Sequence, residues 1–290
     1  MSDITLIDDS EQSSLVTNGL AVNGELYLKK AGSTDAGSIV VYDSGAWKTF
    51  ANEYSAGLSN NYSVDFDGTN DYMGVTTTSS MSLYGVSAWV YLESTLSSAG
   101  IQGVVFGNSG TQWILGLGGN FTSTLTDEII SINLGARYGY SSSSDTVAAG
   151  WHHMAIAWST SSTTNSGSNG YDIYLDGVNV GNQVNTTYGA ATLYTLPVTS
   201  LRFGQRGDGA FPFGGKLDEL ALFNSSLSAS DITAIYNSGV PSDISSLNPV
   251  HWWRMGDDDG GTGTTITDQG SAGNDGTLTN GPTFSSDVPS

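Results

Sequence analysis

Acidic side chains are the reactive groups this sequence holds in quantity. Lys and Arg number 8 against 28 Asp and Glu, a formal net charge of -20 at pH 7. Grouped carboxylates suit two chemistries. A pair about 5–9 Å apart can cleave a glycosidic bond. A larger group, with carbonyl and amide oxygens, can hold calcium, which takes about six to eight oxygen ligands. Asp127-Glu128 and Asp218-Glu219 are adjacent in sequence. Neighbours on a strand point to opposite faces, so neither pair is expected to straddle one bond. Calcium fits the pattern better. Asp67 and Asp71 flank one tight turn with Asn70, Asp218 follows Gly215-Lys216-Leu217, and Asp275 sits in Asn-Asp-Gly. If they meet in space, Asp67, Asp71, Asp218 and Asp275 form the expected metal site, with calcium the one cofactor implied. The competing reading has Asp67 and Asp71 bonding their own turn backbone and Asp218 or Glu219 as a paired, inward-pointing carboxylate. Asp257-Asp258-Asp259 does not match the EF-hand spacing and reads as a solvated turn.

Other catalytic chemistries find little support. The chain has no Cys, which excludes disulfides, thiolate catalysis and zinc–thiolate sites. It has three His (His152, His153, His251) and no Gly-x-Ser-x-Gly run, so nothing recommends a Ser/His/Asp triad. The three are read as structural. Arg137, Arg202, Arg206 and Arg254 are scattered and suggest no arginine triad. The chain is therefore read as non-catalytic. Its charge repels phosphate backbones and anionic membranes, which argues against nucleic-acid binding. No run approaches the ~18 apolar residues of a membrane span, so no membrane insertion is expected. The first residues, MSDITLIDDSEQ, carry no basic region followed by an apolar one, so no export signal is expected.

The elements that must position these groups are short strands. The chain has 290 residues, of which 38 are Gly, and Ser, Thr and Asn clusters separate its apolar stretches. Val86, Ala88, Val90 and Leu92 alternate with Ser87, Trp89 and Tyr91, a period of two. Further strands are expected at Val104–Phe106, Trp113–Leu117, Ile129–Leu134, Trp151–Trp158, Tyr171–Leu175, Val178–Val180, Leu201–Phe203 and Leu217–Phe223. Asp176-Gly177 makes a hairpin turn between two of them. One helix is expected over Ala229–Asn237. Ser228 and Asp231 form its capping box, Gly239 suits the position after its end, and Pro241 stops it. Regular strand spacing with turns between argues for a sandwich rather than alternating strands and helices. Ahead of it, residues 1–55 read as two hairpins. One turns at Asn23-Gly24 and the other at Asp43-Ser44-Gly45.

Four segments carry a family resemblance: VDFDGTNDYM (Val64–Met73), GWHHMAIAW (Gly150–Trp158), YDIYLDGVNVG (Tyr171–Gly181) and GGKLDELALFNSSLSASDITAIY (Gly214–Tyr236). Together they resemble the laminin-G-like, concanavalin-A-like jelly roll. The resemblance implies an all-β antiparallel sandwich with one short helix and a small N-terminal hairpin module. It also implies a binding role, often toward sugars. Glycanases of this fold place their carboxylates on one strand as Glu-x-Asp-x-Glu, a spacing that this chain lacks. The segment His251–Phe284 resembles the opening of such domains, yet here it follows the helix. It is expected to supply circularly permuted strands to a sandwich spanning residues 56–290. The alternatives are a truncated second domain and the completion of a neighbouring subunit. Permutation is preferred because about 35 residues cannot form their own core.

The segment GSIVVYDSGAWKTF (residues 37–50) resembles short β repeats near the N-termini of phage tail-fibre and other virion proteins. Two readings of residues 1–55 follow, an attachment or oligomerisation module and an accessory hairpin. The resemblance implies a protein of the virion surface, released by lysis, either a tail-fibre adhesin or a capsid decoration. Its partners would be other virion proteins through the N-terminal module and a host cell-surface glycan through the sandwich, with a homotrimer in the fibre case. A sugar site needs aromatic platforms beside flexible polar loops, and Tyr138, Tyr140, Phe211 and Phe213 have that setting. The alternative function is a polysaccharide-active lyase or hydrolase with an unfamiliar site.

Overall fold

The computed structural model describes residues 5–7, 26–29, 39–43, 46–49, 58–97, 101–107, 113–118, 128–133, 137–141, 146–158, 171–181, 183–184, 194–196 and 200–290. The chain divides into two units, Met1–Leu58 and Ser59–Ser290.

The first unit contains a four-stranded sheet in the order Thr5–Ile7, Leu26–Lys29, Ile39–Asp43, Ala46–Thr49. The last two strands pair antiparallel, from Val40 opposite Thr49 to Asp43 opposite Ala46. That is the hairpin expected around Ser44-Gly45. The hairpin expected at Asn23-Gly24 lies outside the described residues. Leu26–Lys29 instead pairs parallel with Thr5–Ile7 and antiparallel with Ile39–Asp43.

The second unit is a sandwich of two antiparallel sheets. One has nine strands, in the order Gln183–Val184, Arg137–Ser141, Glu128–Asn133, Trp113–Gly118, Ile101–Gly107, Ser200–Phe203, Tyr72–Thr76, Gly276–Thr279, Thr265–Ile266. The other runs Val178–Gly181, Tyr171–Leu175, Gly150–Trp158, Gly85–Leu92, Gly214–Phe223, Ser63–Asp67, Thr283–Ser285, with His251–Trp253 paired to Gly214–Phe223. The inner faces make one core. Val64, Phe66, Val86, Val90, Met154, Ile156 and Leu217 meet Met73, Val75, Phe106, Leu201, Phe203 and Leu278 across it.

The alternation in Gly85–Leu92 marks the core face as expected, but the other face is not exposed. Ser87 and Trp89 are buried as well. The helix, observed at Ala229–Tyr236, covers them: the Tyr236 ring stacks on Trp89 at 5.8 Å between centroids. Its start is the expected capping box, with Asp231 N–H donating to Ser228 Oγ and Ser228 N–H donating to Asp231 Oδ2. Its end differs from expectation. The left-handed residue is Asn237 (φ 44°), ahead of Gly239, and its N–H donates to Thr233 O. Asn tolerates that conformation better than most residues with a side chain.

The tail belongs to both sheets. Gly276–Thr279 pairs with Tyr72–Thr76, and Thr283–Ser285 pairs with Ser63–Asp67. His251–Trp253 adds to Gly214–Phe223, from Leu220 opposite Trp253 to Leu222 opposite His251. Trp253 is fully buried, packs on Phe203 at 5.1 Å, and its indole N–H donates to Asn274 O at 3.0 Å. A chain ending before His251 loses strands from both sheets and exposes the Phe203 face of the core. It is expected to lack a cooperative melt when monomeric. A truncated chain melting like the full one would show that the tail adds no core.

Candidate functional site

The longest strand of the sandwich, Gly214–Phe223, changes its edge partner in mid-course. Leu217 lies opposite Val64 and Leu220 lies opposite Trp253. The N-terminal end of one partner therefore meets the C-terminal end of the other at residues 218–219, and both chains splay away there. On the other side the register with Gly85–Leu92 slips by one residue between Asp218 and Ala221. Glu219 sits in the left-handed region (φ 45°). This is a β-bulge, which re-aims side chains that plain alternation would send apart.

The bulge overturns one expectation. Asp218 and Glu219 do not point to opposite faces. Their carboxylates converge, and with Asp257 their oxygens all lie within 4.8 Å of one another. Asp257 is also a correction, because its side chain is only 1% exposed where a solvated turn was expected. Glu219 is well held: Trp252 Nε1–H donates to Oε2 at 2.6 Å and Arg254 Nε–H to Oε1 at 3.0 Å. Arg254 also approaches Asp257 at 3.7 Å and donates to Ser59 O. Asp257 Oδ1 accepts from Asn61 N–H at 2.7 Å, and Asp218 Oδ1 accepts from Glu219 N–H at 2.8 Å. The other oxygens, Asp218 Oδ2 and Asp257 Oδ2, are buried without a hydrogen bond. So are both polar atoms of the Asn60 side chain, which lies against the Asp218 carboxyl. Burial raises the pKa of all three acids, with Glu219 pushed up to about 7 despite Arg254 and Trp252.

The four residues expected to bind metal are not brought together. Asp67 lies opposite Gly214, four residues along the strand from Asp218. Its Oδ1 accepts from Thr69 N–H at 2.7 Å, and Asp71 Oδ2 accepts from Asp67 N–H at 3.1 Å. Both therefore bond their own turn. Asp275 Oδ1 accepts from Asp268 N–H at 3.0 Å, within the tail. Only Asp218 of the four joins the carboxylate group.

The histidines are tied into the fold. His152 Nδ1–H donates to Asp176 Oδ2 at 2.8 Å and Nε2–H to Ala148 O at 3.0 Å. Burial opposes its protonation, but the bond to and charge of Asp176 outweigh burial and raise its pKa. His153 is wholly buried, bonded to Ser87 Oγ at 2.9 Å and packed on Trp89 at 5.3 Å between centroids. His251 Nδ1–H donates to Asp268 Oδ2 at 2.7 Å.

The expected sugar-binding aromatics fall in different places. Phe213 is a core residue, fully buried at 6.3 Å from the Phe66 ring, so no ligand can reach it. Phe211 is half-buried, packs on Val104 apart from the main core, and lies under the Arg206 guanidinium at 4.6 Å. Tyr138 and Tyr140 belong to the Arg137–Ser141 strand, and their side chains lie outside the described residues. A residue that sequence reasoning missed is Arg202. It pairs with Gly74, beside the core pair Phe203 and Met73. Arg202 and Tyr72 therefore face away from the core. The guanidinium lies 4.2 Å from the centre of the Tyr72 ring and donates to Gln205 Oε1 at 3.1 Å. Arg206 has Asp208, Arg254 has Glu219 and Lys216 has Asp287 as ion-pair partners. Arg202 has no carboxylate partner among the described residues.

Two antiparallel sheets around one core, closed by a capped helix and offering one open polar face, define a lectin-like jelly roll. The chain belongs to the concanavalin A-like lectin/glucanases superfamily, whose family model matches residues 67–233. No curated protein matches. Among solved structures, a candidate carbohydrate-binding protein of Bacteroides ovatus ATCC 8483 is similar, with a TM-score of 0.57 at 17% identity over 92% of this chain and 71% of that one. The heptameric pentraxin of Limulus polyphemus is 15% identical over 61% of this chain and 82% of its own, with a TM-score of 0.37. Domain 4 of an arabinanase of Geobacillus stearothermophilus, solved with arabinotriose, is 15% identical over 77% and 95%, with a TM-score of 0.34. At these identities the likeness is one of fold alone.

His153 sets a dependence on acid. Burial lowers its pKa from 6.5 to about 4. Between those values the unfolded chain binds more protons, so this contribution to stability is complete above pH 6.5 and lost as pH falls toward 4. The loss amounts to about 3 kcal/mol. His153→Gln keeps an amide for Ser87 and removes the titration. Urea unfolding of both proteins at pH 7 and pH 4 is expected to show the difference moving in the variant's favour by about that amount. An equal difference at both pH values would show that His153 ionises alike in the folded and unfolded chains.

Proposed function

We propose that the sandwich binds an anionic surface glycan without covalent chemistry, on the open face of its nine-stranded sheet. Arg202 carries the reading. In a chain of net charge -20, a guanidinium held on a tyrosine ring with no carboxylate partner is a standing cation at a face that offers polar groups. A uronate or sulfate group would complete it with charge-assisted hydrogen bonds. Phe211 under Arg206 adds a half-buried aromatic on the same loop as Gln205. Membership of a superfamily of lectins and glucanases supports a sugar as ligand. The non-catalytic reading is supported by the placement of the converging carboxylates, which lie buried behind Trp252 and Arg254.

The full chain is expected to retain acidic glycans on an array and to ignore their neutral counterparts. Arg202→Ala and Tyr72→Ala are each expected to weaken binding about tenfold or more, the equivalent of about 1.4 kcal/mol, with unchanged melting temperature. Retention of neutral sugars alone would remove the anionic assignment, and no retention at all would remove the glycan. New reducing ends or unsaturated products after incubation would make the protein an enzyme.

The setting proposed for this binding is the surface of a bacterial virus, with the N-terminal unit as the attachment or trimerisation module of a fibre. The support is the fibre-like stretch at residues 37–50. Antibody against residues 62–290 is then expected to label the tail appendages of intact particles. Label spread over capsid faces would make the protein a head decoration instead, and unlabelled particles would remove the virion role.

A further inference from the structure

We propose that Asp218, Glu219, Asp257 and the side-chain carbonyl of Asn60 form a calcium site, where the two edge partners of the Gly214–Phe223 strand meet and splay apart. The site is independent of the glycan reading and shares only Asp218 with the metal site that the sequence suggested.

Geometry comes first. Calcium–oxygen distances are about 2.3–2.6 Å, so two oxygens on one ion stand no more than about 5 Å apart. The three carboxylates offer oxygens within 4.8 Å of one another. The second observation concerns hydrogen bonding. Asp218 is 0% exposed, yet its Oδ2 has no donor. Asp257 Oδ2 and Asn60 Oδ1 are buried without donors too. Buried polar atoms in folded proteins almost always find partners, so several unpaired oxygens converging on one place imply a missing electrophile. Water could serve one of them, but water does not offset charge.

Charge is the third observation. Three carboxylates converge on a single guanidinium, Arg254, which pairs with Glu219 at 3.0 Å. Asp258, the other acid near Arg254, is 34% exposed and faces solvent. A divalent cation brings the buried charges to a sum of zero. Arg254 and Trp252 would hold Glu219 while the ion takes the unpaired oxygens of Asp218, Asp257 and Asn60. The donors are oxygens alone, which selects a hard cation. Magnesium demands near-octahedral geometry and sheds its waters reluctantly, whereas calcium accepts an irregular buried set.

The test uses the full chain, stripped with EDTA and dialysed. Millimolar calcium is expected to raise its melting temperature by about 5 °C or more, following the linkage between ligand excess and stability, and magnesium by much less. Terbium is expected to emit on tryptophan excitation, because the Trp252 indole touches Glu219, and calcium should quench that emission by displacement. Asp257→Asn is expected to weaken calcium binding at least tenfold, while Asp67→Asn leaves it unchanged. A stripped protein that neither melts higher with calcium nor lights terbium overturns the site. So does an Asp257→Asn protein that binds calcium as the wild type does. Equal stabilisation by magnesium overturns the choice of calcium.

Discussion

The sandwich depends on one discontinuity, the change of partner along Gly214–Phe223. A continuous edge strand there would have hydrogen-bonded every residue and left no room for side chains. Two strand ends meeting head-on leave Asp218 and Glu219 without an edge partner between Val64 and Trp253. The bulge on the other side turns both side chains into the gap. Covering a gap lined by acids is costly unless opposite charge comes with the cover, since a buried unpaired carboxylate costs several kcal/mol. The chain supplies Arg254 and the indole of Trp252 on the segment that closes the gap. Closure and neutralisation therefore come from the same few residues.

That segment must itself be held, and Asp268 holds it. Its two oxygens accept from His251 Nδ1–H, Trp252 N–H, Gly270 N–H and Asn274 N–H, all between 2.7 and 2.9 Å. The His251 ring lies flat on Trp253, 5.0 Å between centroids. One carboxylate thus fixes the strand that carries Trp252 and Trp253 and the loop that returns to the nine-stranded sheet. The tail is consequently part of the core's architecture rather than an appendage to it. Its tryptophans face opposite ways, one into the core and one over the acids.

Much of this was legible in the residues. The period-two pattern of Val86–Leu92, the turn at Asp176-Gly177 and the Ser228–Asp231 capping box depend on local sequence and reappear in the structure. The convergence of Asp218 with Glu219 was not legible, because a bulge arises from the register of neighbouring strands and not from the two residues themselves. Asp257 looked like its solvated neighbours for a similar reason: its burial comes from Asn61 and Arg254, remote or non-local partners. Phe211 and Phe213 differ by two positions in one loop, and only the path of that loop along Ile101–Gly107 decides which enters the core.

The few cations show how the charge is arranged. With 8 Lys and Arg against 28 acids, each cation placed beside a carboxylate leaves fewer for any other task. Arg254 lies inside and serves three acids at once. Lys216 lies over the Tyr91 ring at 3.9 Å and reaches Asp287 in the tail. Arg206 is neutralised by Asp208 two residues on. Arg202 alone of these rests on an aromatic ring and an amide oxygen. Neither partner cancels its charge, while both fix its direction. In a chain so acidic, an uncompensated guanidinium is attracted to every carboxylate within a Debye length. The surface around Tyr72 keeps it free by offering a ring and Gln205 instead of an acid. The same composition that repels anions in general therefore leaves one oriented cation on the open face, and that contrast gives the face its selectivity.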